Sequence, residues 1–465
     1  MNNTGASEPS NFETQALSAI FGELSDRKIR YAVLRNYECL PESVAGNDID
    51  IIVHPEDLNT VIHIIAEVAR FLGAAYAKFY HDDMITQLVI VKRQDIRNIF
   101  PVKIDLLHNR QILGVEFLDT DAMLANLRTH NGIPVVSERV MLLDKWSFHL
   151  LLGYPLPEKY NDSFARIARR EASSLIRSLS CFLPKVRATE LVAALADGRG
   201  ASLVLTSKER RNALMQLWAA QGLIALPRSL RFARYRIRDI LKPQGIFVSF
   251  SGPDGSGKTT VIEMVISQLA AIYGASAIHY AHFRPTMLPR IAEVAKKARA
   301  VDMIDKDYDR PHRAKPSGFV GSAARLVYYW LDYMGGYFRS VFPVLRRREI
   351  MLFDRYYYDM IADSYRSRIS LPMPLLRMMG RVLPLPEYAF FIQVAPEAIY
   401  RRKQELTLQR IVELNDRYSV LVKLGWLFPV DNNAEPEQAA AAIIDHIVAD
   451  RHSRVLLDMK IGDKK

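Results

Sequence analysis

The sequence predicts an α/β protein. Its C-terminal half is a parallel sheet wrapped by helices, preceded by a small α/β domain and a helical region. Three observations carry that prediction. A short apolar run, Gly245-Ile-Phe-Val-Ser-Phe250, leads into a glycine-rich loop, Gly252-Pro-Asp-Gly-Ser-Gly-Lys-Thr-Thr260, and then into a helical stripe of Val261, Ile262, Val265, Ile266 and Leu269. Downstream, apolar runs that close on Asp354 and Val394 alternate with helical segments. Upstream, β-rich runs of four or five residues surround an amphipathic helix.

The chain has 465 residues, about three times the usual ~150-residue domain, so two or three domains are expected. With 49% hydrophobic and 24% charged residues, global disorder is excluded. Only two cysteines occur, Cys39 and Cys181, which excludes a disulfide scaffold and fits a reducing, cytoplasmic setting. The polar start, Met1 to Ser10, lacks the pattern of a signal peptide. Leu326 to Leu345 is the most apolar stretch, but Asp332 and Arg339 interrupt it, so a buried helix is expected there rather than a membrane span. Lys plus Arg is 62 against Asp plus Glu 51, a net charge of +11 that favours phosphorylated or polyanionic ligands. No zinc-finger spacing, aromatic RNA-binding signature or basic tail is present, so no specific nucleic-acid partner is expected. A homodimer stays open.

Three zones follow, 1–130, 131–242 and 243–465. In the first, Tyr31-Ala-Val-Leu34, Ile49-Asp-Ile-Ile-Val53, Gln87-Leu-Val-Ile-Val91 and Val102-Lys-Ile-Asp-Leu106 read as strands. A helix after Pro55 presents Val61, Ile64, Ile65 and Val68 on one face. Asp48 and Asp50 share one face of their strand by alternation, and Asp105 lies on another strand. Three acids on neighbouring strands suit two Mg²⁺ ions and nucleotidyl transfer; the alternative is a degenerate domain whose acids are surface residues or hold a ligand without chemistry. His54, His81 and His108 show no metal-ligand periodicity and read as ordinary.

The second zone is helical, with Leu142, Trp146, His149 and Leu150 at helical spacing. It ends in Arg228, Arg231, Arg234, Arg236, Arg238 and Lys242 against one acid, Asp239. That stretch is either a solvated face or linker, or a surface for an anionic membrane or phosphate-bearing substrate.

The third zone carries G-x-x-x-x-G-K-[ST] in full. Gly252, Gly255 and Gly257 let the backbone curl so that its N–H groups, with those of Asp254, Ser256 and Thr260, face phosphate oxygens. Lys258 places a point charge on the phosphates, the Thr259 hydroxyl suits Mg²⁺, and the next helix aims its positive end at the same anion. Asp354 closes the strand Glu349-Ile-Met-Leu-Phe-Asp354 and suits Mg²⁺ through water, beside Arg355 to neutralise phosphate. Their alternative is a structural ion pair. After the strand Ala389-Phe-Phe-Ile-Gln-Val394, Pro396 opens a helix with Arg401, Arg402 and Lys403, which is either a lid over phosphates or a solvated basic face. Tyr328, Tyr329, Trp330, Tyr333, Tyr337, Phe338 and Tyr356–Tyr358 are either core or the lining of an acceptor pocket.

On these residues the third zone, about 245–450, resembles the thymidylate kinase branch of the P-loop nucleoside monophosphate kinases. The loop matches including Asp254, which in that family reaches toward the acceptor. Asp354-Arg355-Tyr356 matches its Asp-Arg-Tyr/His motif, Val394-Ala-Pro-Glu-Ala398 through Arg401-Arg402 resembles its lid entry, and Phe428-Pro-Val-Asp431 its last strand. The resemblance implies a P-loop kinase using ATP and Mg²⁺. Lys258, Asp354, Arg355, Asp254 and Arg401 would be catalytic, with Arg402 and Lys403 on the phosphates. The chain departs from the family at its acceptor loop, where only Arg284 and Pro285 of His282-Phe-Arg-Pro285 keep the character. It departs again at Leu331-Asp-Tyr333, which lacks the family's acceptor-gripping arginine, and by an insertion rich in Lys, Arg and Asp (Lys296 to Lys315). The acceptor expected is therefore a small molecule, nucleotide or sugar. Kinases of this look are similar to those associated with bacterial envelope polysaccharide synthesis.

The first zone resembles the minimal nucleotidyltransferase fold, although Tyr31-Ala-Val-Leu-Arg-Asn36 stands where that family has Gly-Ser. Two alternatives to the kinase thus stay open: nucleotidyl transfer through Asp48, Asp50 and Asp105, and a non-catalytic ATP-binding adaptor at an envelope assembly.

Overall fold

The computed structural model describes residues 11–282, 318–404 and 406–462. Arg284, Pro285 and the insertion from Lys296 to Lys315 lie outside the described residues. Contacts divide the chain into two compact units. The first takes in the described residues to Lys92, Phe100–Arg238 and those from Arg451; the second takes in Arg93–Ile99 and the described part of Asp239–Asp450. The expected boundary at residue 130 falls inside a hairpin of the first unit, Arg128–His130 with Ile133–Val135.

The first unit is built on β1 (Tyr31–Arg35), β2 (Ile49–Val53), β3 (Ala75–His81), β4 (Ile85–Arg93) and β5 (Ile99–Leu107), with a small hairpin of β6 (Arg110–Ile112) and β7 (Val115–Leu118), then β8 (Arg128–His130) and β9 (Ile133–Val135). Its seven-stranded sheet runs β3-β4-β5-β2-β1-β9-β8. Four of these strands are where the sequence places them; β3 and the short strands were not anticipated. All five residues of β2 are buried because both faces of the sheet are covered. Ile49, Ile51 and Val53 join α1 (Asn11–Asp26) and α2 (Leu58–Phe71), whose Val61, Ile64, Ile65 and Val68 are buried as their spacing requires. Ile52 turns to the opposite cluster with Ala32, Leu34 and Val140.

After α3 (Thr120–Leu124) come α4 (Glu138–Leu152), α5 (Asn161–Leu179), α6 (Lys185–Ala196), α7 (Ser207–Gln221) and α8 (Ala225–Leu241). Ser137 caps α4 by accepting from Val140 N–H, and Gly153, left-handed at φ 78°, ends it. Trp146, Leu150, Phe164, Leu191 and Leu195 form the helical core; each such buried side chain contributes roughly 1.5–3 kcal/mol. Reciprocal hydrogen bonds between Thr206 and Glu209 start α7.

The second unit is a five-stranded, all-parallel sheet: β10 (Ile246–Ser251), β11 (Ile278–His282), β12 (Ile350–Asp354), β13 (Tyr388–Gln393) and β14 (Phe428–Asp431) in the order β11-β12-β10-β13-β14. Its helices are α9 (Lys258–Tyr273), α10 (Phe319–Gly336), α11 (Phe342–Arg346), α12 (Tyr357–Ala362), α13 (Met373–Gly380), α14 (Pro396–Arg402), α15 (Leu408–Lys423) and, up to Asp450, α16 (Pro436–Gly462), whose residues from Arg451 belong to the first unit. The α/β architecture with a helix-wrapped parallel sheet is as expected. Topology puts β10 in the middle; the chain runs from it to β11 and β12 on one side and then crosses to β13 and β14 on the other, which opens a crevice at its carboxyl end.

The apolar stretch at 326–345 is α10 followed by a π-helical turn, Tyr337–Val341, and α11. It is amphipathic rather than buried throughout: Leu326 and Tyr333 face the core while Val327, Leu331 and Phe338 are exposed. No helix among the described residues is long and apolar enough to cross a membrane. Cys39 and Cys181 are both free and exposed.

Candidate active site

The fully buried strand β10 delivers the chain to the crevice, and the loop Gly252–Gly257 turns it into α9. Gly252, Gly255 and Gly257 all have positive φ (149°, 86° and 78°). Gly257 has a second constraint, since a Cβ there would lie 2.8 Å from Asn432 Nδ2. Asn432, at the end of β14, donates from that nitrogen to Ser256 O at 2.8 Å, fastening the loop from the far side of the sheet. Sequence reasoning missed this residue; its only signal is its place just after Asp431 at a strand end.

Lys258 is buried and folds back over the loop, its Nζ donating to Gly252 O (2.8 Å) and Pro253 O (2.9 Å). Burial, seconded by the charge of Arg355, lowers its pKa to about 8 against the pull of Asp354, Asp254 and Asp359. Thr259 and Thr260 are exposed on the first turn of α9.

Asp354 ends β12, in register with Phe250 of β10 and His282 of β11. One carboxylate oxygen lies 3.2 Å from His282 Nδ1. The other, Oδ1, is buried and accepts no hydrogen bond among the described residues. Burial pushes this carboxyl up, but His282, Lys258 and Arg355 together hold it below its ordinary value. Arg355 adopts φ 75° and donates its N–H to Phe250 O at 2.8 Å. Its guanidinium is buried between two acids, 3.0 Å from Asp359 Oδ1 and 2.5 Å from Asp254 Oδ1. Burial alone would lower its pKa; Asp359 and Asp254 raise it instead.

Asp359 was not anticipated, yet it organises the site. One oxygen accepts from Arg355 and from Tyr418 Oη (2.7 Å), the other from Ser251 Oγ (2.7 Å) and Tyr356 N–H (3.3 Å). The available signal was its position four residues after Arg355, across the first turn of α12. Arg366, also missed, donates to Asp254 Oδ2 at 2.6 Å. Burial disfavours the charged form of Asp254, but Arg355, Arg366 and Lys258 outweigh it and hold the carboxyl far below its usual range.

The basic cluster after Pro396 is exposed. Arg402 overlies the loop, Nη1 standing 3.8 Å from where a Gly257 Cβ would be, and Lys403 Cβ stands 3.2 Å from that of Gly255. Arg401 turns away, donating to Glu397 O of its own helix at 3.4 Å. The aromatic run is core rather than pocket lining for Tyr333, Tyr356, Tyr357 and Tyr358, all buried, with ring centroids 4.9 Å apart for Tyr333–Tyr356 and 5.5 Å for Tyr333–Tyr357.

These residues fit a nucleoside triphosphate and Mg²⁺. The loop is curled by glycines where side chains would clash, Ser256 Oγ and Asp354 Oδ1 are buried without hydrogen-bond partners among the described residues, and a cation and an exposed threonine stand at the start of α9.

In the first unit, Asp50 and Asp105 face each other as Cα partners on parallel strands β2 and β5. They are differently engaged. Arg35 clamps Asp50 with Nε to Oδ2 and Nη2 to Oδ1, both at 2.9 Å. Gln87 Nε2 reaches both oxygens of Asp105 at 3.2 Å. Burial, then the charge of Asp50, lifts the Asp105 carboxyl to about 6. Asp48 is exposed, 3.9 Å from Lys103 Nζ. Among the described residues no group of three or more His, Cys, Asp or Glu is placed to hold a metal ion, so the three aspartates are not brought together as a metal cluster. Asp48 lies ahead of β2, exposed and turned to Lys103, while Asp50 is paired with Arg35.

No protein-family model matches the chain. A probable thymidylate kinase of Staphylothermus marinus is 23% identical over 216 residues, 44% of this chain and 97% of that protein. The thymidylate kinase of Enterococcus faecalis is 26% identical over 174 residues, 37% of this chain and 74% of that protein. The crystal structure of thymidylate kinase from Ehrlichia chaffeensis aligns at 17% identity over 44% of this chain and 100% of that one, with a TM-score of 0.31. Similarity to thymidylate kinases thus extends over a part of the chain smaller than half.

Proposed function

We propose that the second unit is a P-loop kinase that binds ATP with Mg²⁺ and phosphorylates a small acceptor, a nucleoside monophosphate or a sugar. The observation that carries this reading is the glycine cradle Gly252–Thr260 leading from buried β10 into α9, with Asp354 Oδ1, buried and without a hydrogen-bond partner among the described residues, at the end of the adjoining strand. The sequence similarity to thymidylate kinases supports the kinase class.

The backbone amides of the cradle and Lys258 would hold the triphosphate, and Thr259 and Asp354 the metal. Bound Mg-ATP supplies an electrophilic phosphoryl group whose charge the site must neutralise. Lys258 exchanges its two carbonyl partners for phosphate. Arg402 and Lys403 add exposed positive charge above the loop. Asp359 fixes Arg355, and Arg355 with Arg366 fixes Asp254, so the wall beside the crevice is rigid before any acceptor arrives. An acceptor bearing phosphate would compete with Asp254 for Arg366, the less buried of the two arginines. A screen of nucleoside monophosphates and sugars for ATP-dependent phosphorylation, run with Lys258→Ala as control, tests the reading. No turnover and no Mg²⁺-dependent ATP binding would overturn it.

A second reading, nucleotidyl transfer by the first unit, draws support from the Asp50–Asp105 register. The Arg35 clamp weighs against it, since metal binding requires that pair to open.

A further inference from the structure

We propose that helix α8 docks the protein on an anionic lipid bilayer. Three arginines along one side of the helix fasten it to the first unit. Arg228 pairs with Glu116 (2.6 Å), Arg231 with Asp83 (3.1 Å), and Arg238 donates to His81 O (2.9 Å). At its beginning the β6–β7 turn presses against it so closely that a Cβ on Gly114 would meet Ser229 Cα at 2.5 Å. Of the whole helix only Ala225 is buried.

The other side is apolar and faces outward. Leu226, Leu230 and Ile237 are 51%, 63% and 57% exposed, and Leu223 just before the helix is 89% exposed. Their spacing of three, four and seven places them in one stripe. Scattered exposed leucines are ordinary, but a continuous stripe marks an interaction surface. Trp218 of α7, also partly exposed, lines an apolar groove of about 570 Å³ that reaches Ser229 of α8.

Charge selects the occupant. Arg234 and Arg236 are exposed, fall on opposite flanks of the stripe by helical spacing, and meet no carboxylate among the described residues. From Ala225 to Lys242 the only acid is Asp239. Pairing two copies through this stripe would set arginine rows of like charge together on chains each carrying +11. An anionic headgroup layer instead matches both parts, with the aliphatic tips at the acyl boundary and the guanidinium groups among phosphates.

The test is flotation of the full-length protein with vesicles of equal parts phosphatidylglycerol and phosphatidylcholine, against pure phosphatidylcholine. Binding to the anionic vesicles that weakens with salt is expected. Each basic residue at such a surface is worth about fivefold in partitioning, so R234A/R236A should lower it about 25-fold, and L230E/I237E should abolish it. Thermal melts unchanged in both variants would show that folding is intact. The proposal is overturned if the protein stays with the soluble fraction at low salt. It is equally overturned if L230E/I237E floats like the parent, which would assign binding to net charge alone. If L230E/I237E instead dissolves a dimer that never floats, the stripe belongs to a second copy.

Discussion

Lys258 is the residue on which the proposed chemistry turns, because it is buried, cationic and, among the described residues, held by nothing stronger than two carbonyls. Lys258→Ala is expected to reduce ATP-dependent turnover by about 10²–10³-fold, read from initial rates at saturating acceptor. Its pKa makes a second expectation. With a folded value of about 8 below the ordinary lysine value of 10.5, the unfolded chain holds more protons between those limits. Stability from this group is therefore lost as pH falls toward 8 and regained toward 10.5. Phosphate binding restores the proton, so above pH 8 ATP should bind with uptake of about one proton and with affinity falling as pH rises; titration calorimetry at pH 9 in two buffers of different ionisation enthalpy measures it. Asp359→Ala would leave Arg355 buried with half its partners gone and should cost about 3–5 kcal/mol in urea unfolding. Unchanged stability would remove Asp359 from the organising role given to it here.

At the scale of elements, periodicity was a good guide wherever one pattern dominates. The buried strands β10, β12 and β13 and the stripe of α2 stand where continuous apolar runs and 3.6-residue spacing put them. Short strands such as β8 and β9, three residues each, carry too few side chains to show a period, which is why a boundary at 130 looked natural. β11 follows the first helix of its sheet, but its half-exposed histidines and tyrosine lack an apolar rhythm that would mark its bounds in the sequence. The loop itself gives an expectation of its own. Gly257→Ala adds a methyl 2.8 Å from Asn432 Nδ2 at a φ that L-residues avoid. It should weaken ATP binding at least tenfold and destabilise by about 1–3 kcal/mol, checked by calorimetry and by thermal melts side by side.

For the whole molecule, the question is which unit turns nucleotide over. If the second does, Asp50→Ala leaves acceptor phosphorylation within about twofold while Lys258→Ala removes it; the reverse pattern would assign turnover to the first unit. Asp105 adds a stability check. Its folded value of about 6 lies above the usual carboxylate value of 3.8, so the folded state favours the proton and the ionised group is a penalty that grows from pH 3.8 to 6 and persists above. Asp105→Asn should stabilise the protein by about 2 kcal/mol at pH 7 in urea melts, a gain that vanishes near pH 4.

The glycine-rich loop, its lysine, the strand-end Asp354 and the helix-wrapped parallel sheet were legible in the chain alone, because each depends on residues adjacent or periodically spaced along it. What only tertiary structure decided is who pairs with whom. Arg355 and Arg366 meet Asp254 across 101 and 112 residues, and Asn432 reaches Ser256 across 176. Arg35 closes on Asp50, and the tyrosines of 356–358 turn inward. Charge pairing and burial are set by distance in space, and no local pattern of residues encodes that distance.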